Sequence, residues 1–185
     1  MKKFLVFALL QVMGIGAIMA GTNPVSLTSG SASMFSEAGT VCVVFDYDST
    51  MVQEQTLPNY LKSRGDDFVK DWPKDKEKAE SYFTIRLSKK SKLLKYTEDA
   101  AAADYKMIIH VNWLDMGNTA SSFFSTASAK DGGVIMRGTI DIMKGEEVVA
   151  TFDAIDVKGT AHPSETVRLG LCYFELCNGL LKAVK

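Results

Sequence analysis

The most restrictive feature of the chain is a pair of segments, residues 133–143 and 147–157, in which apolar and polar side chains alternate on either side of Lys144-Gly145-Glu146. A period of two is what a strand needs when one face meets a core and the other meets water, and a short polar break containing glycine closes two such strands into a hairpin. The alternation predicts a core face of Val134, Met136, Ile140, Ile142, Val148, Ala150 and Phe152.

The other segments must supply what covers that face. Val41 to Tyr47 is a continuous apolar run rich in β-branched and aromatic residues, the pattern of a buried strand. Leu57, Tyr60, Leu61, Phe68, Val69 and Trp72 recur at helical spacing, with Arg64-Gly65-Asp66 as an interruption. Pro73 is expected to open a second helix to about Lys90, with Ala79, Tyr82, Phe83 and Leu87 inward. A short strand follows at 93–96, and the alanines of 98–104 suit one or two helical turns. Residues 105–114 read as a strand with Met107, Ile109, Val111 and Trp113 on one face and His110 and Asn112 on the other. A last helix is expected from Pro163 to Ala183, its stripe formed by Val167, Leu171, Phe174 and Leu181 with Tyr173, Leu180 and Val184 beside it. This order predicts an α+β fold: a single antiparallel or mixed sheet of four to five strands, helices packed on one face, and the C-terminal helix closing the core.

Length and charge narrow the class. The chain has 185 residues, 46% of them hydrophobic, with 21 Lys and Arg against 22 Asp and Glu, which fits one globular domain and lacks the basic excess that meets a phosphate backbone. No nucleic-acid partner is expected. Lys2 and Lys3 followed by the apolar run Phe4 to Ala20 read as a secretory signal peptide over residues 1–20, with a retained anchor as the competing reading. Its removal would take the formal net charge from −1 to about −3. No cysteine follows the run, so the product is expected to be unlipidated, without a membrane span, and periplasmic or otherwise exported. Residues 21–38, rich in Ser, Gly and Thr, read as a flexible leader, and 39–185 as the single domain. In an oxidising compartment Cys42 could pair with Cys172 or Cys177; three small buried side chains is the alternative reading.

Chemistry is sparse. Asp46-Tyr47-Asp48-Ser49-Thr50 at the end of an apolar strand resembles the first motif of haloacid-dehalogenase-type phosphatases, which implies Asp46 as nucleophile, Asp48 as acid/base and a bound Mg²⁺. The later motifs of that family do not follow in order, and a strand end whose side chains satisfy turn amides is the competing reading. His110 and His162 have no catalytic or metal spacing around them, so neither a metal nor a cofactor is expected. The segment 115–132 is long and rich in small residues. Phe123 and Phe124 at its centre are the candidate binding residues. Arg86, Lys89, Lys90, Lys92 and Lys95 form a basic cluster, read as a solvated helix end or a contact with anionic lipid.

The layout also resembles a group of small envelope proteins of unknown function, often lipoproteins, related to the N-terminal domain of the Tol β-propeller protein and the periplasmic domain of the curli secretion channel. The residues behind the likeness are Phe45-Asp46 closing the first strand, Ala103-Asp104-Tyr105 leading into residues 107–113, the hairpin from Gly138 to Phe152, and the closing amphipathic helix. The resemblance implies a non-catalytic envelope module that docks a protein partner. A Mg-dependent phosphohydrolase using Asp46 and Asp48, and a small apolar-ligand binder with a pocket between sheet and C-terminal helix, are the alternatives.

Overall fold

The computed structural model describes residues 23–117 and 132–185. Chain order is β1 (Val25–Gly30), a 3-10 turn (Ser33–Ser36), β2 (Gly39–Asp46), β3 (Met51–Val52), β4 (Gln55–Thr56), α1 (Leu57–Arg64), α2 (Asp66–Lys90), β5 (Leu94–Tyr96), β6 (Tyr105–Asp115), β7 (Ile135–Lys144), β8 (Glu147–Lys158) and α3 (Glu165–Ala183). The strands form one mixed sheet in the order β1-β8-β7-β6-β2-β5, with β3 paired to β6 beyond the end of β2 and β4 paired to β3. Neighbouring strands along β1, β8, β7 and β6 are antiparallel, while β2 runs parallel to both β6 and β5. A parallel pair needs a crossover, and α1 and α2 supply it.

Helices α2 and α3 pack against each other and share one side of the sheet. Phe45 of β2 meets both, its ring 5.8 Å from Phe83 and 4.7 Å from Tyr173. Gly170 of α3 lies under the Tyr82 ring, where a Cβ would come within 2.7 Å of the ring carbons. The core between helices and sheet contains Phe83, Leu87, Met107, Ile109, Ile140, Ile142, Phe152 and Tyr173, all fully buried.

The sheet has eight strands rather than four to five. Two of the extra strands, β3 and β4, have two residues each and are too short for a periodicity to show. The third, β1, lies within the segment expected to be a flexible leader. Only Val25 of its six residues is buried, so it carries almost no apolar alternation and is held by pairing with β8.

Three further expectations change. Helix α2 begins at Asp66 and runs through Pro73 without ending there. The proline removes a donor to the Val69 carbonyl four residues back, and Val69 is 42% exposed, so water can satisfy that group. Phe68 and Val69 consequently face solvent. Residues 98–104 form a turn and not a helix, because the Asp99 side chain accepts the backbone N–H of Ala101 at 2.9 Å and so caps a competing local structure. The α3 stripe is rotated. Leu169, Cys172, Tyr173, Leu176 and Leu180 are buried, whereas Val167, Leu171, Phe174 and Leu181 lie at its margins. Ser164 caps the helix by accepting the Val167 N–H.

Two of the sheet's β-bulges overturn the simple alternation read from the sequence. In β6 the pairing steps from Val111↔Gly138 to Trp113↔Arg137, leaving Asn112 as the extra residue. The flip sends Trp113 to the outer face and Leu114 into the core. Gly138 makes this possible, since a Cβ there would stand 2.1 Å from the His110 carbonyl oxygen. In β8 a bulge between Ala150 and Val148 turns Val148 outward, 48% exposed, although simple alternation placed it inside.

Candidate functional site

Among the described residues no element covers the second face of the sheet. Asp46 of β2 is in register with His110 of β6, and His110 with Thr139 of β7. Side chains that project from this face therefore come together across strands that are far apart in sequence. His110 Nδ1 lies 2.8 Å from Asp46 Oδ2, and His110 Nε2 lies 3.5 Å from Asp141 Oδ2. Thr151 Oγ1 donates to Asp141 Oδ1 at 2.7 Å, which extends the row to β8. The result is an acid-imidazole-acid-hydroxyl row across four adjacent strands.

The Asp46 carboxyl is held below the usual carboxylate range, first by the backbone N–H of Asp48, which it accepts at 3.0 Å, and then by His110. Both of its oxygens thus have local partners. Asp48 lies in the exposed turn after β2, and the hydroxyl of Thr50 turns away to the Val111 carbonyl. The three polar residues of the Asp-x-Asp-x-Thr motif consequently do different jobs: Asp46 joins the row, Asp48 donates to Asp46, and Thr50 ties the turn to β6. Among the described residues no group of three or more His, Cys, Asp or Glu side chains is disposed to hold a metal ion.

Below the row, Arg137 of β7 donates to Asp156 at 2.6 Å and lies 4.7 Å over the Trp113 ring. Asp156 sits in a bulge with φ +52. This cluster and Asp141 were invisible to a reading of single strands. The signal that could have found them is the set of polar residues at outward positions of neighbouring strands, but aligning them requires the register.

The other candidate residues are dispersed. Phe123 and Phe124 lie outside the described residues. The ends of their segment meet, because a Cβ on Gly117 would be 2.3 Å from the Gly132 carbonyl oxygen. Arg168 of α3, almost fully buried, anchors the departing end by donating to the Met116 carbonyl at 3.1 Å and to the His162 carbonyl at 2.8 Å. His162 accepts the Ser164 N–H and so helps shape the start of α3.

The pairing of Cys42 with Cys172 or Cys177 does not form: all three cysteines are free and buried. Cys172 donates to the Val157 carbonyl of β8, three strands from β2 and hence about 14 Å away at normal strand spacing. Burial pushes the Cys172 and Cys177 thiols up, Cys177 to about 12. The space between sheet and α3, where a ligand pocket was conceivable, is filled by Tyr173 and its neighbours. The Tyr173 and Tyr47 hydroxyls are 2.9 Å apart, and burial raises both phenols well above their ordinary range.

Comparison with solved structures returns the PelC dodecamer from Paraburkholderia phytofirmans, 15% identical, covering 83% of this chain and 96% of that one with a TM-score of 0.42. A point variant of the same dodecamer is 14% identical with a TM-score of 0.37, covering 84% of this chain and 97% of that one. Neither is the Tol propeller domain or the curli channel domain. No family model and no curated protein matches the chain. The functional reading below therefore stands on the chain's own residues.

Proposed function

We propose that the protein is an exported, non-catalytic module of the cell envelope that docks another protein by accepting an extended segment along β1. The observation that carries this reading is the character of that edge. Among the described residues strand β1 ends the sheet, has no charged residue in its six positions, and leaves its outer backbone groups without a strand partner. Leu27, Val148 and Ile155, on β1 and its neighbour β8, are 40%, 48% and 54% exposed. Natural edge strands are usually guarded by charge, proline or bulges; β1 has neither charge nor proline and a single irregularity at Thr28, and an edge flanked by apolar side chains is what strand addition uses. Export rests on the basic start and apolar run of residues 1–20. Phe123 and Phe124 form a second contact in this reading. The outer-face row supports binding over catalysis, since both ring nitrogens of His110 face carboxylates and neither faces a hydroxyl or thiol.

The test is site-specific photo-crosslinking in the native envelope, from Ser26 on the edge and from Lys74 on α2. A discrete adduct from Ser26, missing from Lys74 and lost on Leu27→Lys, is the expected outcome. Identical adducts from both sites, or none from a folded protein, would overturn the reading. An adduct of twice the chain mass would replace it with self-association.

A further inference from the structure

The C-terminal ends of α2 and α3 enclose a groove of about 650 Å³ that the proposed docking edge does not use. Its apolar lining is Phe35, Leu93, Leu181 and Val184. Its cationic lining is Arg86, Lys90, Lys92, Lys182 and Lys185, and among the described residues no acidic side chain lines it. On a chain with a formal net charge of −1 this is a local concentration of one sign. We propose that the groove seats the protein on a membrane surface containing anionic phospholipid.

Two observations select a lipid surface. First, the cations surround an apolar floor. Arg86 is fixed by Asn178 at 2.6 Å and by the Phe174 ring at 4.5 Å, whereas Lys90, Lys92 and Lys182 have no carboxylate partner among the described residues. Long lysine stems over apolar side chains suit a headgroup region, where phosphates are spread above glycerol and the first methylenes. A single inorganic phosphate is better served by converging backbone N–H groups, and these helix ends present carbonyls instead. Second, Leu93 is 45% exposed at the rim, where insertion among lipid would remove it from water.

The experiment is vesicle co-sedimentation of the full chain, comparing phosphatidylcholine alone with equimolar phosphatidylcholine and phosphatidylglycerol. The zwitterionic vesicles measure whatever the N-terminal apolar run contributes. Extra binding to the anionic vesicles is expected, falling with added salt and about twenty-five-fold in the pair Lys90→Gln with Lys182→Gln, at about fivefold per lysine. Lys92→Gln, which lies outside both helices, should lose about fivefold and keeps the test decisive if the pair perturbs folding. The pair Lys70→Gln with Lys74→Gln, at the far end of α2, should leave binding unchanged. Equal binding to both vesicles, full binding by the groove variants, or equal loss from the far pair would overturn the proposal. Displacement by inorganic phosphate at matched ionic strength would overturn it in favour of a free-phosphate site.

Discussion

The two faces of the sheet are written by the same strands and differ in almost every physical respect. On the covered face, Ile109, Ile140 and Phe152 follow one another across β6, β7 and β8 and are fully buried. On the outer face, Asp46, His110 and Asp141 retain 34%, 32% and 26% side-chain exposure. Burying a large apolar side chain contributes about 1.5–3 kcal/mol, whereas a solvent-accessible ion pair contributes about 0–1 kcal/mol. Stability therefore resides on the helix side. The outer face can carry polar chemistry at little cost to the fold.

The sharpest way to break this contrast is to cut into the covered face. Phe152→Ala removes a fully buried ring that meets Phe35 edge-on at 6.4 Å. A loss of about 3–5 kcal/mol in denaturant unfolding is expected. A smaller loss would mean that the covered face is not where the fold is held.

Next comes the bulge that decides which face Trp113 joins. Gly138→Ala forces a Cβ against the His110 carbonyl and should cost about 1–3 kcal/mol. It should also change the Trp113 fluorescence, because the ring leaves its position under Arg137. An unchanged spectrum would place the origin of the flip elsewhere.

His110→Ala should cost about 1 kcal/mol or less, since it removes only half-buried, solvent-accessible pairs. A loss as large as that of Phe152→Ala would erase the distinction between the faces.

The smallest effect is in the pH dependence. The folded-state pKa values of Asp46 and Asp104 are depressed, Asp104 chiefly by the Thr40 backbone N–H that it accepts at 2.8 Å. Their contribution is therefore present above the unfolded carboxylate value and is lost as pH falls through the folded values. The pair Asp46→Asn with Asp104→Asn should lower the unfolding midpoint modestly at neutral pH and flatten its decline on acidification, so that variant and wild type converge at low pH. A parallel decline in wild type and variant would show that these carboxylates are not linked to folding.

The comparison also explains which expectations held. Strands β2, β6, β7 and β8 and the C-terminal helix were legible because each has an apolar period long enough to identify it. Strand β1 was not, since an edge strand with one buried residue is stabilised by backbone pairing that leaves no side-chain pattern. Pro73 misled for a related reason: a proline signals a helix start only where the lost backbone bond cannot be met by solvent. Asp46 was singled out and His110 noted, but no reading of either segment could bring them within 2.8 Å.

The sequence by itself determined the α+β class, the hairpin around Gly145, the amphipathic closing helix and the basic character of the α2 terminus. These follow from local periodicity and composition, which act over a few residues. Only the tertiary structure decided the strand order, the bulges at Asn112 and Val149, and therefore the meeting of Asp46, His110 and Asp141 on one face and of the α2 and α3 lysines around one groove. Register is set by the summed packing of the whole sheet, and a shift of one residue sends a side chain to the opposite face.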